Sequence, residues 1–230
     1  MKSVKVPVLL LLTFAFAAVS AQAILLPPGT SGTPTGLAVP GGEVQLATTG
    51  VVPWTAPGAG GSGSADGTLE AAVYRNSSGF LDFVYQFIND PLSSAGISST
   101  TGLSFAGFST NVDYFTNGSA LGGGFVDGTP GVFPGSVFRT ALGGGSVVTY
   151  QFNVPNDNFD VNPGQTSAAL VVRTDAVNFK QGTLGIIAGG TFTDVNVFGP
   201  ASLVPEPTIF LPIGVGLIGF ALLRRRQARA

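Results

Sequence analysis

The chain has 230 residues, ten basic and twelve acidic, with no cysteine, no histidine and 34 glycines; only 10% of it is charged. Without cysteine there is neither a disulfide scaffold nor a thiolate metal site, and without histidine the usual general base and the ordinary zinc and copper ligands are missing. Lys2, Lys5, Arg224, Arg225, Arg226 and Arg229 lie in the two ends, so the body sets Arg75, Arg139, Arg173 and Lys180 against eleven acids, a net charge of −7 that excludes nucleic acid as a partner.

Lys2 and Lys5 precede an apolar run from Val6 to Val19, and Ala21-Gln22-Ala23 follows. A positive start, a short apolar middle and an A-x-A exit predict a signal peptide over residues 1–23, removed by signal peptidase after Ala23. An uncleaved anchor would want closer to about 20 apolar residues. Residues 24–67 are rich in Gly, Pro, Ser and Thr and are expected to be loop-rich, with strands only at Glu43 to Thr48 and Val51 to Trp54. Trp54, the one tryptophan, is expected as a core or edge plug rather than a stacking platform for sugar.

Residues 68–203 turn to period two. From Phe80 to Asn89 one face carries Leu81, Phe83, Tyr85 and Phe87 and the other Asp82, Val84, Gln86 and Ile88, which reads as a half-buried strand. Asn76-Ser77-Ser78-Gly79 supplies turn residues, so Leu69 to Arg75 should pair with this strand as an antiparallel hairpin. Further strands are expected at Leu103 to Phe108, Asn111 to Thr116, Ser136 to Leu142, Val147 to Val154, Ser167 to Thr174 and Gly182 to Val197, the last broken near Gly189-Gly190. Val148, Tyr150, Phe152 and Val154 should share a core face with Leu81, Phe83, Tyr85 and Phe87. No stretch of the body combines helical spacing with good helix formers. The expected fold is therefore all-β, an antiparallel β-sandwich or jelly-roll-like single domain.

Chemistry is sparse in this body. A Ser-Lys pair is formally open through Lys180, but a lysine on a β surface is ordinarily just solvated. Two carboxylates can hydrolyse a glycoside without histidine, and Asp82, Glu70, Asp113, Asp127, Asp175 and Asp194 are the candidates, with Glu43 the other glutamate of the body. No pair among them stands out by its neighbours. Val154 to Gly164 gathers Asn and Asp oxygens in the manner of a calcium loop, yet Val161 or Pro163 falls where an EF-hand needs glycine, so a surface turn explains it better. Two G-x-G-x-x-G matches, at Gly58 and Gly214, lack a strand before them and a helix after them. No catalytic residue, metal site or cofactor is expected.

The chain closes with a second apolar segment, Ile209 to Leu223, of about 22 Å as a helix and so short for a bilayer core of about 30 Å. Arg224, Arg225 and Arg226 follow it and should stay in the cytoplasm, which leaves Pro205-Glu206-Pro207 on the exported side. Both prolines hold that tripeptide extended just before the span. Val204-Pro205-Glu206-Pro207, a short glycine-punctuated apolar stretch and a terminal arginine cluster together resemble the PEP-CTERM sorting signal, over residues 204–230.

That resemblance implies an exported protein of a Gram-negative bacterium that makes exopolysaccharide and grows as biofilm or flocs. It implies cutting near Pro205-Glu206-Pro207 by an exosortase-type membrane peptidase, and it says nothing about the body's fold. The resulting expectation is a non-enzymatic structural or adhesive protein of the cell surface or extracellular matrix. Its partners would be signal peptidase, the sorting peptidase, the membrane transiently through its C-terminal helix, and exopolysaccharide as candidate ligand. A carbohydrate-active enzyme, a calcium-dependent carbohydrate-binding domain and a permanently anchored surface protein stay open beside it.

Overall fold

The computed structural model describes residues 22–58, 64–102, 104–152 and 160–202. Along them run β1 (Ile24–Leu25), β2 (Ser31–Gly32), β3 (Val44–Ala56), β4 (Ala65–Arg75), β5 (Leu81–Asn89) and β6 (Ile97–Gly102). The chain continues with β7 (Thr110–Phe115), β8 (Ser136–Arg139), β9 (Val148–Gln151), β10 (Ala169–Thr174), β11 (Asn178–Ala188) and β12 (Thr191–Ala201). The strands form two six-stranded sheets, in the orders β1-β7-β10-β5-β4-β3 and β12-β11-β6-β9-β8-β2. Their ladders are antiparallel, as expected.

Alternation builds the space between the sheets. Leu81, Phe83, Tyr85 and Phe87 of β5 meet Val148 and Tyr150 of β9, and Phe152 just beyond it, in one buried cluster with Leu184, Ile186, Val195 and Val197. Each such large side chain contributes about 1.5 to 3 kcal/mol through the water it sheds. Val154, expected on the same face, lies outside the described residues. Two tyrosines lace the sheets together: the Tyr85 hydroxyl donates to the Phe198 carbonyl at 2.8 Å and the Tyr150 hydroxyl to the Val171 carbonyl at 2.6 Å, each reaching the opposite sheet. Burial pushes both phenols well above the usual tyrosine range. Trp54 is buried in this core at 4% exposure, so it offers no surface for a sugar ring.

The β4–β5 hairpin has the expected register, from Arg75 opposite Leu81 to Gly67 opposite Asn89. β5 is not half-buried, however: Asp82, Val84 and Gln86 on its second face are as inaccessible as Phe83. A second apolar cluster covers that face, formed by Leu37, Ala72, Tyr74, Val84, Phe115, Leu121, Phe125, Ala169 and Val171. Its lid is partly the N-terminal stretch that composition marks as loop. Leu37 donates to the Tyr114 carbonyl and accepts from Thr116 N–H, both at 2.8 Å. Asp113 accepts from the backbone of Thr35 and Gly36, and Asn117 Oδ1 from Val39 N–H. β1 and β2 seat the same stretch on one edge of each sheet, and β3 runs unbroken in sequence through two bulges, where two shorter strands were expected.

Two other strands fall elsewhere. Residues 97–102 form a strand, β6, where none was expected, while 104–109 turn instead of extending and plug Phe105 edge-on against Phe83. The long final strand is a hairpin, with Gly189 and Gly190 at φ 56° and 78° between Ala188 and Thr191. Positive φ at both central positions suits a tight turn whose twist matches the flanking strands.

Candidate functional site

Of the expected sorting residues, Ala21, Val204, Pro205, Glu206, Pro207, Arg224, Arg225 and Arg226 lie outside the described residues, as does the apolar segment between them. Ala23 packs against the outer cluster, one residue before β1 begins. Among the described residues no helix is long and apolar enough to cross a membrane.

The expected carboxylates scatter. Asp113 fastens the N-terminal stretch. Glu70 accepts from Gly124 N–H at 2.9 Å and the Thr48 hydroxyl at 3.3 Å. Asp127 caps Ser119 through its N–H and hydroxyl, and Asp175 accepts from Ser109 N–H. Of the oxygen-rich loop, Asp160 and Asn162 are described; Asp160 is held above the usual carboxylate range by burial, and the Asn162 N–H is taken by Gln165. Among the described residues no three acids, histidines or cysteines converge as a metal site would require.

Of the expected carboxylates, Asp82 shares an ion-pair partner with a second acid, Glu43. Register sets Asp82 directly opposite Arg173 of β10 and Tyr74 of β4, on the covered face of the first sheet. Glu43 enters from the end of the N-terminal lid, just before β3. Arg173 Nε stands 3.2 Å from Asp82 Oδ2 and its Nη2 3.8 Å from Glu43 Oε1, while Asn76 Nδ2 donates to Asp82 Oδ1 at 2.9 Å. The two carboxyls share the single counter-charge of Arg173, which favours a proton on one of them. Burial first, and the neighbouring Asp82 charge second, raise Glu43 to about 7 against the pull of Arg173; burial likewise raises Asp82, although Arg173 and Asn76 pull it down. The proton therefore rests on Glu43. Clefts of about 180 Å³ and 160 Å³ flank it.

Chemically this is a clamp. Glycoside hydrolysis needs two carboxyls about 5 to 9.5 Å apart so that a sugar or a water fits between them. Here the Arg173 guanidinium already contacts both carboxyls, so the pair is engaged in an ion pair. What the triad does is hold the end of the lid to β5 and β10. Sequence reasoning missed it because its members lie far apart in the chain. The available signal was an acid at position 82, set among Val84 and Ile88 on a face that is half apolar.

A larger groove of about 640 Å³ opens beside the second sheet, at the β6, β11 and β12 residues Thr101, Gln181, Thr183 and Asp194, with Ser104, Ser146 and the exposed Lys180. Hydroxyl, amide and carboxylate groups share its lining with Val147, Pro200 and the glycines 102, 182, 185 and 199. No family model matches the chain, and neither a curated protein nor a solved structure is similar to it.

Proposed function

We propose that the chain is an exported structural or adhesive protein with no catalytic activity of its own, delivered by a signal peptide, held briefly by one C-terminal membrane-spanning sorting helix, and released by an exosortase-type peptidase to the cell surface or the exopolysaccharide matrix. The observation that carries this reading is the tail: Val204-Pro205-Glu206-Pro207, a short glycine-punctuated span and Arg224-Arg225-Arg226 in that order. The order of elements agrees with it, since β1 starts at the residue after the expected signal-peptidase cut and β12 ends three residues before the sorting motif. The body then meets hydrated polysaccharide through hydrogen bonds, for which the groove on the second sheet offers the chemistry.

Intact-mass measurement of the protein recovered from its native envelope tests the sorting step. The expected mass lacks residues 1–23 and the arginine tail; a mature protein that keeps Arg224 to Arg229 in a cell with a working peptidase overturns it. For the body, a glycan array separates adhesion, read as binding weakened by Thr101→Val and Thr183→Val together, from a purely structural role, read as self-assembly without glycan binding.

A further inference from the structure

The body carries four basic residues, and two of them, Arg139 and Arg173, are spent inside it. The two exposed ones, Arg75 and Lys180, sit at the same end of the sandwich. Arg75 is opposite Leu81 at the closed end of the β4–β5 hairpin, and Leu81 N–H donates to the Ala176 carbonyl at 2.9 Å. Two residues on, Asn178 pairs with Ala201, the last residue of β12, and Lys180 pairs with Gly199. The exposed apolar residues Phe80, at 39%, and Val177, at 41%, flank that same Leu81–Ala176 hydrogen bond. Two cations and two apolar side chains therefore ring the point at which the chain leaves the body.

The opposite end is acidic. Asp66 and Asp90 meet there through the Asp90 N–H to Asp66 carbonyl hydrogen bond, beyond the Gly67–Asn89 pair. The nine residues of β5 put roughly 30 Å between the ends at about 3.4 Å per residue. Among the described residues one exposed acid, Asp175, stands at the cationic end, its Oδ1 occupied by Ser109 N–H. Glu43 and Asp82 lie beneath the surface there with Arg173 as counter-charge.

Chain length fixes what this end faces. Only Ser202 to Thr208 separate β12 from the apolar segment that starts at Ile209, and seven residues reach at most about 25 Å when fully extended. We propose that the β12 end of the sandwich, with Phe80, Val177, Arg75 and Lys180, is a docking surface for anionic lipid while the tail is in the membrane. It rests on the reading of the tail as a span. Apolar side chains enter the interfacial zone and each cation gains from the negative headgroups, while the acidic end points away. Docking holds the sorting motif at one height above the bilayer.

The absence of cysteine makes the test clean. The full chain, carrying one cysteine with a bimane label at Phe80→Cys, Val177→Cys, Leu92→Cys or Leu217→Cys, is reconstituted into vesicles of phosphatidylethanolamine and phosphatidylglycerol containing doxyl-lipid quencher. Labels at 80, 177 and 217 are expected to be quenched and the label at 92, a fully exposed site beside Asp90, to stay bright. Arg75→Gln with Lys180→Gln should weaken the docking equilibrium read at 80 and 177 about thirtyfold on the scale of two interfacial cations, and leave quenching at 217 unchanged. Quenching at 217 with none at 80 and 177 overturns the docking surface and leaves the tail reading standing; no quenching at 217 overturns both. Quenching at 80 and 177 that survives the double substitution overturns the assignment to anionic lipid.

Discussion

Arg139 shows how a single residue can hold a fold that has no cross-links. It is buried without a carboxylate in contact, and its guanidinium donates to the carbonyls of Gly145, Leu26, Phe105 and Phe108. Four carbonyls from three loops are satisfied by one planar fork, which an ammonium cannot reproduce. Arg139→Met should cost about 3 kcal/mol in urea unfolding because it strands several buried carbonyls at once, and Arg139→Lys should recover less than half of that. Glu43 sets a pH dependence. Its folded-state value of about 7 exceeds the unfolded value of 4.5, so the folded protein binds the extra proton between them. The stability this brings is complete below about pH 4.5 and is lost as pH rises through about 7, the opposite of an ordinary ion-paired carboxylate. Unfolding free energy should fall by about 2 kcal/mol from pH 5 to pH 8.5. Glu43→Gln, which stays neutral beside Asp82 and Arg173, should flatten that slope.

At the scale of elements, strands whose partners are close in sequence could be read directly and those with distant partners could not. The β4–β5 hairpin was legible because alternation and Asn76-Ser77-Ser78-Gly79 both act locally. β6 was not, since Ile97-Ser98-Ser99-Thr100-Thr101-Gly102 has little to bury by itself and becomes a strand only between β9 and β11. β5 was recognised as a strand but misjudged as half-buried, because its outer face is closed by residues 35–39, which composition marks as loop, together with Leu121, Phe125 and Val126. The acid clamp was invisible for the same reason. The β11–β12 turn is a case where local chemistry decides. Gly190→Val forces a branched side chain into positive φ and should lower stability by about 1 to 2 kcal/mol, whereas Gly190→Asn should cost less, as thermal unfolding of the two variants would show.

For the whole molecule, the interior of the sandwich is where stability comes from, and the ends are where the proposed life of the protein is written. The sandwich was legible as a class from alternation, while the reading of both ends rests on composition and motif alone and falls almost wholly outside the described residues. Neither the groove nor the uneven distribution of charge was legible, since both depend on which turns the topology gathers at one end. A protein recovered after sorting should be monodisperse and soluble without detergent once the span is gone. Persistent requirement for detergent in material lacking Arg224 to Arg229 would count against release from the membrane.

The edges of the two sheets have a last consequence. β3 and β12, the long outer strands, lie against one another, and the remaining outer strands, β1 and β2, are two residues each. Among the described residues this mutual packing reduces the ladder open to a neighbour's backbone. Units of this kind should crowd into a matrix chiefly by touching through side chains or shared glycan, so the resulting material should redissolve in mild chaotrope and leave amyloid dyes dark, behaving as a gel of discrete beads rather than a fibre.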